Sequence, residues 1–309
     1  MSNAQSHSLS DLSDQLALAV EKGAESIVAV HARPQLASTG IHWRDGLIVT
    51  TNGTVRRDQD IAVTLPSGKR INATLQGRDP STDLAVIKID TASLPTATLG
   101  DTGAIKPGHL VLALARLDES GPRAAFGAVS LSGGPWRAWG GGEIDRLLQS
   151  DLNLYPGFGG GPLVDAAGRV LGVNSGRLSR PFATTLPVET VHRVLDQLVS
   201  RGYVRRGYLG AGMQAVQLQP QLRTRLNLDR AGGLLITTVQ TDGPAAVGGL
   251  LVGDVIVGIN RHPVAEPEDV LQALSGDTAG KPVTLELVRG GRLETLEVLI
   301  GERPRASHS

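Results

Sequence analysis

Short runs of alternating apolar and polar residues cover most of the first two thirds of the chain. The clearest alternation runs from Ile61 to Leu65 and, after the turn segment PSGK, resumes from Ile71 to Leu75. Alternation with a period of two predicts half-buried strands, and two such strands joined by a turn predict a hairpin. Similar runs recur until about residue 175, and closely spaced short strands favour a barrel or a sandwich.

Two segments break this pattern with helical spacing. Residues 8–22 carry leucines at helical intervals, and Ser8 with Asp11 forms a capping-box pattern. Residues 187–202 begin with a proline and end with a glycine, which is the usual punctuation of a helix. We interpret the second helix as the end of a domain.

The last hundred residues mix strands with two short helices and predict a small α+β domain. The fold class is therefore mostly β. The predicted organisation is a helical segment over 1–22, a barrel-like domain over 23–204, the α+β domain over 205–304 and a tail over 305–309.

Composition removes several classes of function. The 309 residues contain 30 basic and 30 acidic side chains and no cysteine. Disulfides, thiolate metal sites and cysteine nucleophiles are therefore excluded. We expect no cofactor and no metal. We also expect no nucleic-acid partner, because no basic stripe carries interleaved aromatic residues.

The amino terminus has no basic start followed by an apolar run, and no window approaches 18 uninterrupted apolar residues. We expect neither a signal peptide nor a membrane span, and a cytoplasmic location if this terminus is native.

Four stretches, in order and in register, carry a resemblance to a known family. They are DGLIVTTNGTV, GRDPSTDLAVIKI, YPGFGGGPLVDAAGRVLGVNSG and a fourth that begins GYLGAG and continues through GGLLITTVQTDGPAAVGGLLVGDVIVGINRHPV. Together they resemble the HtrA (DegP-type) serine proteases over about residues 10–303. The resemblance implies a chymotrypsin-like double β-barrel followed by a PDZ domain.

The resemblance also implies a Ser-His-Asp triad, in which a hydroxyl attacks, an imidazole takes its proton and a carboxylate fixes the imidazole. The histidine slot holds Gly53, or Thr54 if the register shifts by one. Asp83 fills the carboxylate slot, and Gly159 stands in the serine slot. Without an imidazole beside it, Asp83 needs other donors, for which we expect Thr54 or Thr82.

No other residue is an obvious substitute for the missing base or nucleophile. We interpret His42, His109 and His192 as ordinary strand, surface or helix histidines. Ser150 and Ser175 flank the nucleophile turn, but a serine without an adjacent base is a poor nucleophile.

The backbone part of the site needs no particular side chain. The resemblance implies an oxyanion hole made by the N–H groups of Gly157 and Gly159. Three consecutive glycines predict a loose turn there. Residues 172–176 match the strand on which family members hold an extended peptide, so we expect peptide docking by β-addition.

In the second domain, the resemblance implies a loop whose N–H groups bind the carboxylate at a peptide's C-terminus. The segment RGYLGA fits this loop, and the peptide would then lie beside the following strand and against a helix. The predicted peptide-binding residues are Tyr208, Leu209, Gly210, Ala211, Val270 and Leu274.

Three functions fit these observations. The first is an inactive HtrA-like scaffold that binds peptides or unfolded proteins as a chaperone or regulator. The second is an active serine endopeptidase with an unorthodox site, or one whose two glycines are engineered changes. The third is a structural subunit that assembles with an active paralogue. The resemblance also implies a homo-oligomer, with a trimer as the family's usual form.

Overall fold

The structure is a computed structural model that describes residues 9–91, 94–138, 141–178, 183–228, 231–275 and 278–302. The chain divides into two compact units, Met1–Val204 and Arg205–Ser309. We call them the first and the second unit. The predicted capping residue Ser8 and the tail 305–309 lie outside the described residues.

The first unit begins with helix α1 (Leu9–Ala24) and a closed six-stranded barrel. The helix buries only a narrow stripe that includes Ala19 and Ala24, so most of its surface is exposed. The strands of the barrel are β1 (Ile27–His31), β2 (Ser38–Arg44), β3 (Leu47–Thr51), β4 (Ile61–Thr64), β5 (Arg70–Asp79) and β6 (Leu84–Ile89). The predicted hairpin is confirmed, since β4 and β5 pair antiparallel with Ile61 opposite Ala73.

A second closed barrel of six strands follows. Its strands are β7 (Leu110–Ala115), β8 (Arg123–Ser132), β11 (Leu148–Ser150), β12 (Pro162–Asp165), β13 (Val170–Ser175) and β14 (Ala183–Pro187). They are hydrogen-bonded in the order β11-β14-β13-β12-β7-β8. A small two-stranded sheet, β9 (Trp136–Arg137) and β10 (Glu143–Ile144), is inserted before β11.

Helix α2 (Val188–Arg201) closes the first unit. It ends at Gly202, whose φ of 79° is the left-handed conformation that terminates many helices. Its buried face, which includes Val191 and Leu195, joins a core cluster with residues of both barrels and of α1. Each barrel also has its own apolar interior, so three cores stabilise this unit.

The second unit is built on one six-stranded sheet and one two-stranded sheet. Its strands are β15 (Gly207–Tyr208), β16 (Ala211–Gln217), β17 (Gly232–Val239), β18 (Val255–Ile259), β19 (His262–Pro263), β20 (Pro282–Arg289), β21 (Arg292–Leu299) and β22 (Gly301–Glu302). Its helices are α3 (Pro220–Leu226), α4 (Pro244–Val247) and α5 (Pro267–Ala273). The sequence patterns do not predict α3. Its apolar positions are only partly buried, so they give a weak signal.

The fold class is confirmed as mostly β, with a double barrel followed by an α+β unit. No helix among the described residues is long and apolar enough to span a membrane.

Candidate functional site

Gly53 and Asp83 lie side by side in the first unit. Gly53 is the centre of a short 3-10 turn, Asn52–Thr54, that directly follows β3. Its N–H donates to the Asp83 Oδ1 at 2.7 Å, and the N–H of Asn52 donates to the Asp83 carbonyl at 2.9 Å. A Cβ built on Gly53 would lie 3.2 Å from that Oδ1, so any side chain at position 53 would start next to the carboxylate.

The Asp83 carboxyl group is buried and fully engaged. Only 3% of the residue is exposed, and the Ser175 hydroxyl donates to Oδ2 at 2.6 Å. Burial raises the pKa of Asp83, while hydrogen bonds from Ser175 and Gly53 and the charge of Arg177 oppose the rise. The backbone of Asp83 is left-handed, with φ of 56°, a conformation that Asp and Asn tolerate better than most residues.

A hydroxyl group does donate to Asp83, as expected, but it belongs to neither Thr54 nor Thr82. Thr54 donates instead to the Thr51 carbonyl at 2.8 Å, which closes its own turn. Thr82 donates to Asp79 at 2.7 Å. Ser175, on β13, supplies the hydroxyl because the second barrel faces Asp83 at this point.

Gly159 lies in a pair of successive β-turns between β11 and β12. The N–H of Phe158 donates to the Tyr155 carbonyl and the N–H of Gly161 to the Phe158 carbonyl, each at 3.0 Å. Gly157 and Gly160, the third residues of the two turns, have φ of 97° and 87°. This is the type II pattern, which favours glycine at that position.

The turn is closely packed, so the expectation of a loose glycine turn was wrong. A Cβ on Gly160 or Gly161 would overlap a backbone oxygen of β2 or β7, respectively. A Cβ on Gly159 would have only ordinary contacts, the nearest at 3.6 Å from the Thr54 Cγ2. Gly159 therefore faces the turn that carries Gly53 and has room for a side chain. We call the region formed by Gly53, Asp83 and Gly159 the slot site.

Hydrogen bonds from buried side chains fix the start of this turn. The Thr39 hydroxyl donates to the Gly157 carbonyl at 2.8 Å and accepts from the N–H of Arg116 at 3.0 Å. Arg116 is 5% exposed, and its Nε donates to the Ile27 carbonyl at 3.1 Å. Within the described residues, the N–H groups of Gly157 and Gly159 have no acceptor. Both groups required for the predicted oxyanion hole therefore remain available.

The space that a residue-53 side chain would need is occupied by Arg177. A Cβ built on Gly53 would overlap the Arg177 Cδ and lie 3.4 Å from its Nε. The missing side chain of Gly53 is thus replaced in space by the stem of an arginine, which is no general base at neutral pH.

Of the histidines in the described part of the chain, His42 and His192 have other roles than that of a base. His42 is 1% exposed and both ring nitrogens are engaged, Nδ1 with the Pro95 carbonyl at 3.0 Å and Nε2 with the N–H of Gly46 at 3.2 Å. The His192 ring packs edge-on against Trp43. In the described part of the chain, no group of His, Asp and Glu side chains is arranged to hold a metal ion.

The candidate serines are also inaccessible. Ser150 is 2% exposed and Ser175 is fully buried with its hydroxyl donated to Asp83. Neither hydroxyl can meet a peptide bond in this conformation.

Most of the segment predicted to receive a peptide by β-addition, residues 172–176, is already paired within the second barrel. Strand β13 pairs with β14 from Gly172 to Ser175 and with β12 as far as Val173. Asn174 exchanges hydrogen bonds with the backbone of Gly160 and Gly161. These bonds end at Ser175, so β-addition at the end of the segment, at Gly176, stays a prediction.

The three glycines of the turn give a sharp stability test. We expect Gly160→Ala and Gly161→Ala to lower the free energy of unfolding of the first unit by about 1–3 kcal/mol or more, because each added methyl meets backbone. Gly159→Ala is the matched control and should change it by less than about 0.5 kcal/mol. Urea unfolding of the three variants measures the difference, and equal losses at all three positions would contradict this packing.

In the second unit, the predicted carboxylate loop has two available N–H groups. The carbonyls of Leu209 and Gly210 accept from the N–H groups of Ala245 and Gln240, each at 2.8 Å. The N–H groups of Leu209 and Gly210 have no acceptor among the described residues. Gly210 has φ of 76°, so the loop takes a conformation that favours glycine. The arrangement suits a carboxylate.

The strand that follows this loop has an open edge. β16 is the terminal strand of its sheet and pairs only with β17, so its other edge can receive a peptide. Helix α5 contacts β16. Ala211 is only partly buried, whereas Val270 and Leu274 are 3% and 8% exposed and belong to the core. The Tyr208 hydroxyl donates to Gln240 at 2.6 Å.

Comparison with known proteins identifies both units. Residues 38–173 match the trypsin-like peptidase domain and residues 207–300 match the PDZ domain. The solved structure of the HtrA-type protease AlgW with a tripeptide is 30% identical, with a TM-score of 0.74, over 95% of this chain and 99% of that chain. The chain belongs to the HtrA family.

Other HtrA relatives agree. A probable periplasmic serine endoprotease DegP-like of Pseudomonas putida is 34% identical over 274 residues, which are 87% of this chain and 56% of the relative. A protein of the same description from Brucella suis is 32% identical over 89% of this chain and 54% of its own length. The serine endoprotease from Yersinia pestis has a TM-score of 0.75 and 25% identity, over 94% of this chain and 98% of that chain. The chain thus spans about half the length of the curated relatives it matches.

These relatives overturn one expectation from the sequence. A cytoplasmic location was wrong, since the curated HtrA relatives are named as periplasmic endoproteases. The absence of a leader pattern at residue 1 was the wrong basis for that inference.

Reasoning from the sequence missed the contacts of two residues near the slot site, Ser175 and Arg177. Ser175 was weighed as a nucleophile, although its role in the structure is to donate to Asp83. Arg177 was not considered, although it stands only two residues beyond Ser175, directly after the segment that resembles the HtrA proteases. A long charged side chain so close to the slot site was the available signal.

Proposed function

We propose that this HtrA protein is a proteolytically inactive scaffold that binds peptide or unfolded-protein segments, as a chaperone or regulator. One observation carries the proposal: the stem of Arg177 fills the space that a side chain at position 53, the predicted position of the catalytic base, would need. Gly159, in the serine slot, has no hydroxyl to activate. Asp83 keeps the third slot, but a carboxylate alone neither attacks a peptide bond nor activates a nucleophile across a missing imidazole.

Peptide binding is supported by the second unit and by the relatives. The N–H groups of Leu209 and Gly210 are available beside the open edge of β16, which suits a peptide that adds as a strand and ends in a carboxylate. Structures of the HtrA-type protease AlgW contain a decapeptide or a tripeptide. We place the peptide's terminal carboxylate at residues 208–211, with Val270 and Leu274 supporting the groove from the core.

We further propose that the protein acts as a homo-oligomer, with a trimer as the first form to test. Exposed leucines on α1 offer apolar contacts for such an assembly. Leu18, 62% exposed, lies opposite the buried stripe, and Leu9, 88% exposed, lies at the start of the helix.

An active endopeptidase is the alternative. The hydrogen bonds to Asp83 and the available N–H groups of Gly157 and Gly159 favour it, because they match the carboxylate and the oxyanion donors that the resemblance implies. Two measurements separate the inactive scaffold from the active enzyme. They are covalent labelling with a serine-directed fluorophosphonate and cleavage of denatured casein at micromolar protein.

We expect no label and no cleavage above the buffer control, because loss of base and nucleophile together costs a serine protease such as subtilisin about 10⁶ in turnover. Trypsin is the positive control for both assays. A labelled serine, located by mass spectrometry, would overturn the proposal.

A further inference from the structure

The guanidinium group of Arg177 is an unusual feature of the slot site. The residue is exposed, yet the aliphatic stem of its side chain lies against Gly53 instead of extending away from the protein. Only glycine at position 53 permits this contact, because any Cβ there would overlap the stem. The arginine stem therefore lies against the turn that Gly159 also faces.

Hydrogen-bond donors outnumber acceptors at this place. Within the described residues, the Arg177 guanidinium makes no ion pair or hydrogen bond, and the N–H groups of Gly157 and Gly159 have no acceptor. The nearest carboxylate, that of Asp83, is buried and already accepts from Gly53 and Ser175. A cation and two amide donors therefore lie near one short turn, and no carboxylate there hydrogen-bonds to them within the described residues.

We propose that the slot site binds a carboxylate of a peptide through the Arg177 guanidinium together with the N–H groups of Gly157 and Gly159. A carboxylate suits this set because its two oxygens accept several hydrogen bonds at once and guanidinium matches its planar geometry. Backbone N–H groups near a cation favour an anion over a neutral carbonyl.

The site is formed by residues of the first unit alone, whereas the proposed peptide groove belongs to the second unit. This inference rests on the proposed function, in which the first unit binds peptides and does not cleave them. It adds the chemical class of the ligand that the first unit binds. The carboxylate can come from a Glu side chain or from a peptide's C-terminus, and the experiment distinguishes the two.

The test uses the full chain labelled with ¹⁵N and three hexapeptides with acetylated N-termini. The first has a central Glu and an amidated C-terminus, the second has Gln in place of Glu, and the third has Gln with a free C-terminus. Amidation keeps the first two from delivering a terminal carboxylate to the second unit. Signals of the Arg177 Nε–H and of the Gly157 and Gly159 amides report on the slot site.

We expect the Glu peptide to shift these three signals and the amidated Gln peptide to leave them in place. Arg177→Gln should weaken binding of the Glu peptide by about fivefold or more. Lys88→Gln is the matched control, because it removes one positive charge from an exposed position on β6. A shift by the free-terminus Gln peptide at the same signals would assign the terminal carboxylate as the ligand.

The proposal is overturned if neither the Glu peptide nor the free-terminus Gln peptide shifts these signals more than the amidated Gln peptide does, or if Arg177→Gln and Lys88→Gln have the same effect. Either result would leave the proposed function standing, because peptide binding at residues 208–211 and the lack of cleavage are measured separately. Conversely, a cleaving protein would overturn the proposed function while these shifts could still be observed.

Discussion

The triple variant Gly53→His, Gly159→Ser and Arg177→Ala should cleave denatured casein at least about 10³-fold faster than the parent protein. Asp83 already lies where a residue-53 side chain begins, with Oδ1 at 3.2 Å from the position of its Cβ. A Cβ at position 159 fits without overlap and faces the same turn. The N–H groups of Gly157 and residue 159 remain available to stabilise the oxyanion.

Removal of the Arg177 side chain is part of this design. The histidine and the arginine stem compete for one volume, because the Cβ of residue 53 would overlap the Arg177 Cδ. The double variant that keeps Arg177 must displace it and should therefore be slower than the triple variant. Initial rates with fluorescent casein, together with fluorophosphonate labelling of residue 159, measure both effects.

Asp83 provides the control for this prediction. Asp83→Asn in the triple variant should lower the rate by about 10⁴, since an amide cannot hold the imidazole in the required tautomer. Asn tolerates the left-handed backbone at this position, so the fold is retained. A triple variant that folds, as judged by circular dichroism, and still neither labels nor cleaves would show that the backbone of the slot site is not arranged for catalysis. In that case the missing side chains are not the only reason for inactivity.

The architecture was readable from the sequence because strands impose a period of two. The hairpin of β4 and β5 follows directly from that alternation, and the short strands with their turns predicted a barrel or a sandwich. The resemblance then selected the double barrel. Helix α3 was missed, since its partly buried residues give no strong helical stripe.

The slot site was only half readable. Alignment of short motifs located Gly53, Asp83 and Gly159, because local spacing is preserved along the chain. The hydroxyl partner of Asp83 and the occupant above Gly53 come from β13 and the segment after it, far along the chain from both residues. Such contacts depend on how the two barrels face each other, and no local pattern encodes that arrangement.

The residues of the glycine turn were located correctly from the sequence, but the prediction that the turn is loose was wrong. Three glycines in a row suggest freedom of the backbone, yet two of them are required by close packing against β2 and β7. Of the three, only Gly159 is unconstrained by its surroundings. Gly159, in the serine slot, is therefore the one glycine of the three where the surrounding atoms leave room for a side chain.

C-terminal amidation should weaken peptide binding to the second unit by about 30-fold or more. A library of peptides with free C-termini, screened on the full chain, supplies the test ligand. The terminal carboxylate replaces water as the acceptor for the N–H groups of Leu209 and Gly210, which have no acceptor in the described chain. Hydrogen bonds to a charged group contribute about 1.5–3 kcal/mol each, and about 1.4 kcal/mol corresponds to a tenfold change in affinity.

Two variants with the same kind of backbone strain locate the effect. Gly210→Ala and Gly290→Ala each place a methyl group on a residue with positive φ, 76° and 55° respectively. Position 290 has nothing within 4 Å of the added Cβ and lies in the turn between β20 and β21. We expect Gly210→Ala to weaken binding about tenfold and Gly290→Ala to leave it unchanged, because only the first alters the loop that presents the two N–H groups.

Isothermal titration of free and amidated peptides measures all four combinations. Equal affinity for both peptide forms would place recognition outside residues 208–211, and a complete lack of binding would favour a structural subunit that assembles with an active paralogue.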